Sequence, residues 1–201
     1  MEGESRKAQA LVRVIAALRD SIVEYDRRIA EVVAEHPEAS LFSSLPGAGP
    51  ALVPRLIVAF GTIRDRFESA EDVQRISGIA AVTERSGNSV QVHMRVACPK
   101  FLRQTFHEFA AHSIAQSEWA KVFYTVRREN RQKYHPAVRA LAYRWIRIIY
   151  RCWKDRRPYD EQLHMRSLQR RGSPLIGAFA PTTEGEWKLV AGFSKFSAKT
   201  S

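Results

Sequence analysis

Leu11, Ile15, Leu18, Ile22, Tyr25, Ile29 and Val32 follow one another at alternating spacings of four and three residues. That spacing lines them along one stripe of a helix and predicts a long helix over residues 1–36, closed by Pro37. The stripe supports two readings, the a/d seam of a coiled coil and an amphipathic helix packed on its own domain. After the short linker HPEAS, residues 41–61 read as two helix-prone stretches around Gly47 and Gly49, with Gly61 as a C-terminal stop. Ser69 with Asp72 has capping-box spacing, and Ser77 with Gly78 closes that short helix. From Ser89 to Val96 the period changes to two: Val90, Val92, Met94 and Val96 alternate with Ser89, Gln91, His93 and Arg95. This is the pattern of a half-buried strand in a hairpin or ribbon.

Helical spacing returns after Pro99, through Leu102, Phe106, Phe109 and Ser113, then through Trp119, Val122, Phe123 and Val126. A further helix after His135 and Pro136 turns Val138, Leu141, Trp145, Ile148, Ile149 and Cys152 inward. Its other flank carries Arg144, Arg147, Arg151 and Lys154. Beyond Tyr159 and Asp160 no period persists, so residues 162–201 are expected to be an irregular tail. The fold class is therefore mainly α: a coiled-coil-like helix, a helix-hairpin-helix-like unit, a small β hairpin or ribbon, and C-terminal helices.

Composition adds the partner class. The 201 residues contain 32 Lys and Arg against 21 Asp and Glu, a net charge of +11, and a surface of that sign concentrates polyanions. No apolar run reaches the roughly 18 residues of a spanning helix, and residues 1–10 hold no apolar signal region. A cytoplasmic, nucleoid-associated protein is expected, without membrane association. Cys98 and Cys152 form neither a metal pair nor a disulfide framework, and no metal site is expected in this chain.

Three features bear on chemistry. The turn LPGAGP resembles a helix-hairpin-helix turn, in which Gly47 and Gly49 would let backbone N–H groups approach a DNA phosphate; a plain glycine-rich connection is the alternative. The flank of Arg144, Arg147 and Arg151 is either phosphate-facing or a solvated basic surface. His93, His107, His112 and His135 show no metal-ligand spacing, and the spacing of Trp119, Trp145 and Trp153 suits core packing better than base stacking.

The segments LPGAGP, FESAEDVQRISGIAAVTERSGNS, ACPKFLRQTFHEFAAHS and HPAVRALAYRWIRIIYRCWKDRRPYDE occur in an ordered series. From Leu41 to Glu161 the chain resembles the IS110/IS116/IS902 transposase domain, giving a layout of connector helix 1–36, transposase domain 41–161 and tail. The resemblance implies a DNA recombinase of an insertion sequence. It also implies a structured guide RNA as a possible partner and a serine that attacks the scissile phosphate. The matching position is Ser86. From the residues alone Ser86-Gly87 is an ordinary turn pair with no adjacent base; Ser89 is the alternative nucleophile. Arg85, Arg95, Lys100 and Arg103 are candidate phosphate partners. Cys98 and Pro99 replace a glycine common before the FLR segment, which suggests a subgroup.

The resemblance further implies a RuvC-like DEDD domain ahead of the connector, holding a divalent metal such as Mg. Here the connector follows Met1, and Glu24, Asp26 and Glu31 read as solvent-facing charges. The expectation is a truncated chain, without cofactor, inactive alone. The alternative function is a non-catalytic nucleic-acid-binding module that forms homo-oligomers through its N-terminal helix and acts with a full-length transposase.

Overall fold

The computed structural model describes residues 2–87, 89–181 and 187–190, which divide into two compact units, 1–39 and 40–201. The first unit is helix α1, Glu2–Ala34. It runs unbroken because its interior holds neither Gly nor Pro beyond the first turn. Its apolar stripe is exposed along its whole length, with Leu11 63%, Leu18 57% and Ile22 58% accessible. Glu31 pairs with Arg27 and Arg28 within the helix.

The second unit contains α2 (Ala39–Ser43), α3 (Leu52–Phe60), a 3₁₀ turn at Arg64–Arg66 and α4 (Ala70–Ile76). Next come strands β1 (Ala81–Ser86) and β2 (Ser89–Met94), then α5 (Lys100–Gln116), α6 (Glu118–Glu129), α7 (Tyr134–Asp155) and α8 (Glu161–Arg170). A second 3₁₀ turn, Pro174–Ala178, leads to a short ladder of β3 (Phe179–Pro181) and β4 (Trp187–Leu189). Local signals set several boundaries. Ser69 and Asp72 form the reciprocal capping box at the start of α4, and Gly61 ends α3 with φ 71°. Arg156, left-handed at φ 53°, ends α7 two residues before Pro158.

The core is centred on α7. Ala137, Val138, Leu141, Ala142, Trp145, Ile146, Ile149 and Trp153 are buried on one stripe of that helix, which packs against α4, α5 and α6. Aromatic rings fill the spaces between these helices. Trp145 lies 4.7 Å from Trp119 and 5.2 Å from Phe109, while Phe60 meets Trp153 at 5.5 Å and Phe106 at 5.8 Å. Each buried indole N–H must find an acceptor. Trp145 donates to Ser113 Oγ, Trp153 to the Gly61 carbonyl and Trp119 to the Tyr159 hydroxyl, at 2.7, 2.7 and 2.8 Å.

Two expectations are corrected here. The tail is not wholly irregular: α8 occupies 161–170, held by Asp160, whose side chain accepts from the Leu163 N–H at 3.0 Å. Only Met165 and Leu168 of that helix are buried, too few apolar positions to give a visible period. The β2 strand is correctly placed by its alternation but is exposed on both faces, so the alternation does not mark a buried side.

Candidate nucleic-acid interface

Ser86 and Ser89 close the β1–β2 hairpin as its last opposed pair, with Gly87 at φ 56° in the turn between them. A left-handed backbone at that point is what glycine supplies without a steric penalty. Opposed residues share a face, so Val82, Glu84, Ser86, Ser89, Gln91 and His93 form one side of the ribbon and Thr83, Arg85, Val90, Val92 and Met94 the other. Both serines are exposed. Their face also carries the Glu84–His93 contact, at 3.4 Å. His93 pairs with Val82, four residues along the strand from Ser86, about 13 Å at the strand rise.

The hairpin is fixed at its base. Arg103 on α5 donates to the Val96 carbonyl at 3.1 Å and lies against Cys98 Sγ and Met94 Sδ. Gly78, at φ 68°, leaves the space Cys98 occupies, since any side chain there would collide with its sulfur. The basic residues expected around Ser86 are thus distributed along the ribbon. Arg85 is exposed beside Ser86 but points to the opposite face. Arg95, Lys100 and Arg103 belong to the base, roughly 17 Å from the tip along five strand steps.

The glycine turn between α2 and α3 leans on α5. A Cβ at Gly47, φ 84°, would sit 2.9 Å from the His112 carbonyl carbon, so the missing side chain permits turn-to-helix packing. Gly49 is exposed with open space around it, and its carbonyl accepts from the N–H groups of Leu52 and Val53 at 2.9 and 3.0 Å. A groove of about 680 Å³ runs between this turn and α5, past Ser43, Ala111, His112 and Ala115.

Elsewhere on this unit, Arg144 and Arg127 stack over the Phe123 ring, 4.7 and 5.2 Å from its centroid. Burial, followed by the charges of Arg127 and Arg147, weakens the hold of Arg144 on its proton. Burial also holds His164 neutral, down to about 4, with Arg144 and Arg171 adding to that effect. Arg147 is exposed, whereas Arg151 is exposed but paired to Asp155 at 3.1 Å. The flank therefore offers Arg127, Arg144, Arg147 and Arg171 as one cationic cluster; Arg127 and Arg171, on other elements, carry no helical spacing that could reveal them.

The final motif, PYDE, has structural work. Tyr159 accepts the Trp119 indole proton, and its own N–H donates to Ser44 Oγ at 2.7 Å. Glu161 accepts from Ser117 Oγ at 2.9 Å and from the Glu118 N–H at 3.1 Å, capping α6 from another helix. Burial pushes the Glu161 carboxyl upward. Among the described residues no three His, Cys, Asp or Glu side chains are grouped so as to hold a metal ion. No described helix is long and apolar enough to cross a membrane.

Charge is divided between the units. Residues 1–39 hold six Lys and Arg against eight Asp and Glu, and residues 40–201 hold 26 against 13. The excess of cations lies entirely in the unit that carries the hairpin.

Residues 39–125, which run from α2 into α6 and contain Ser86, match the sequence pattern of the transposase IS116/IS110/IS902 family. The chain is 26% identical over 150 residues to the insertion element IS900 uncharacterized 42 kDa protein of Mycobacterium paratuberculosis, covering 74% of this chain and 38% of that one. It is 26% identical over 152 residues to a pilin gene-inverting protein of Moraxella bovis, covering 72% and 47% respectively. Over 161 residues it is 24% identical to the insertion element IS116 uncharacterized 44.8 kDa protein of Streptomyces clavuligerus, covering 78% and 40%. The chain spans less than half the length of these relatives.

Proposed function

We propose that this chain, whose residues 39–125 match the transposase IS116/IS110/IS902 family, acts in DNA recombination as a nucleic-acid-binding domain that presents Ser86 as a nucleophile. The observation that carries the proposal is the exposed hairpin with Ser86 at its tip, within the family-matched segment and on the unit that holds the cationic excess. A relative similar over 72% of this chain is named a pilin gene-inverting protein, and inverting a gene fits a DNA-recombination role.

In this proposal Ser86 Oγ attacks a backbone phosphorus, the P–O bond to one sugar breaks, and a phosphoserine ester holds the cut end. The serine proton passes to a base and the departing sugar oxygen takes up a proton. A second sugar hydroxyl then reverses the step, so joining requires no energy source. No base touches Ser86 among the described residues, and the cations of the hairpin base lie too far away to act on the reacting oxygen. Activation therefore comes from outside this surface, in line with a RuvC-like acidic domain holding a divalent metal. DNA is the proposed substrate, a structured RNA its guide, and the cytoplasmic nucleoid its location.

The test supplies a DEDD domain in trans with guide RNA and both DNA substrates, and then separates DNA-linked protein under denaturing conditions. Ser86→Ala should abolish the adduct while leaving duplex affinity within about twofold, because one hydroxyl adds little to a surface dominated by cations. An adduct retained by Ser86→Ala would move the role to Ser89, and no adduct with the unaltered chain would remove the nucleophile role.

A second reading has its own observation. The seam of α1 is exposed in unit 1 and keeps heptad spacing over about three repeats, the arrangement by which one copy of this helix pairs with another. As a non-catalytic module the chain would bind nucleic acid and dimerise with a full-length transposase.

A further inference from the structure

A cavity of about 390 Å³ opens between α5 and α7 at the root of the hairpin, walled on one side by Ile79. Lys100, Arg103, His107 and Arg139 line it together with Gln104 and Glu108. Its single carboxylate is already committed: Glu108 is ion-paired with Arg55 and accepts from Gln104 Nε2 at 2.7 Å. Arg103 spends its hydrogen bonds on a carbonyl and on sulfur, and among the described residues no carboxylate pairs with it. No carboxylate among the described residues forms an ion pair with Lys100 or Arg139. His107 lies beside His135, with ring centroids 5.5 Å apart.

We propose that this cavity is a seat for a phosphodiester of bound nucleic acid, gripped by Lys100, Arg103 and Arg139 with His107 as a hydrogen-bond donor. The volume admits a phosphate and its waters, each water occupying about 30 Å³. The planar guanidinium fork of Arg139 on α7 suits phosphate oxygens, while Arg103 on α5 adds its positive charge with its N–H groups held by Val96, Cys98 and Met94. Burial, and then the charges of His135 and Arg139, hold His107 below the usual imidazole range, against the weaker pull of Glu108. An anion in the cavity reverses that balance and lets His107 take up its proton.

Because Arg103 also fixes the hairpin base, a phosphate seated here is registered against the ribbon. The length to Ser86, about 17 Å along the strands, corresponds to roughly five phosphates of one DNA strand. The inference rests on nucleic-acid binding by the chain and adds to it the position of one phosphate.

Duplex binding by the intact chain, followed by fluorescence anisotropy from 50 to 200 mM salt, tests this directly. Arg139→Gln and, at an exposed position, Lys100→Gln should each weaken binding about threefold or more at 50 mM salt and make the log–log salt slope shallower by about one. Lys121→Gln, an exposed change of equal charge on α6, should leave the slope within half a unit. In NMR spectra the duplex should shift the His107 imidazole and raise its pKa, and inorganic phosphate should do so only at far higher concentration. Slopes for Arg139→Gln and Lys100→Gln that equal that of Lys121→Gln would overturn the proposal. A His107 signal moved by inorganic phosphate but not by the duplex would do the same, marking a small-anion site. Absence of duplex binding by the unaltered chain would remove the proposed function as well, whereas intact binding with unchanged slopes removes only this seat.

Discussion

At the scale of single residues, the glycines of LPGAGP illustrate how one residue type serves two roles. Gly47 is required by its neighbours: its φ of 84° and the 2.9 Å approach to His112 both exclude a side chain. Gly49 faces open space and is free to meet a ligand. Gly47→Ala should therefore destabilise the protein by about 1–3 kcal/mol in thermal or urea unfolding, the usual cost of an L-residue forced into that backbone region with a close contact. Gly49→Ala should cost less than about 1 kcal/mol. Equal effects at the two positions would show that the turn does not pack on α5 in this way. The distinction between these glycines was not legible in the sequence, where both sit in one symmetrical motif. It depends on α5, about sixty-five residues further along the chain.

At the scale of elements, periodicity predicts α1, α5, α6 and α7 well because each buries or aligns a stripe several turns long. It misses α8, whose two buried residues give no stripe and whose start is set by the Asp160 cap. Alternation finds β2 but says nothing about which face is covered; Val92 is 66% exposed in a ribbon that leaves the core. The candidate site was legible in part: Ser86 is found through the order of motifs, whereas the cavity unites Lys100 and Arg139 across α5 and α7 and has no local signature. For α1, the exposed seam argues for pairing between copies. Multi-angle light scattering should give a dimer that becomes a monomer when Leu18→Asp and Ile22→Asp are combined, since two buried charges facing their counterparts cannot be desolvated. A monomer at high concentration before substitution would remove the basis for that interface.

At the scale of the whole molecule, charge and helix stripe are segregated. The unit formed by α1 is slightly acidic and apolar along one side, while the remaining chain carries twice as many cations as anions and the exposed hairpin. Such an arrangement suits a division between self-association and polyanion binding, and the family-matched residues 39–125 lie almost wholly in the cation-rich unit. Several phosphates should be neutralised at once, by the cavity at the hairpin root and by the cluster of Arg127, Arg144, Arg147 and Arg171. The most direct measurement is the affinity of the intact chain for duplex DNA of mixed sequence as salt is raised from 50 to 200 mM. Log affinity should fall linearly with log salt with a slope of about −4 or steeper, as expected when four or more phosphates release their counterions. A slope near zero, or no binding at 50 mM, would contradict a nucleic-acid-binding role for this chain.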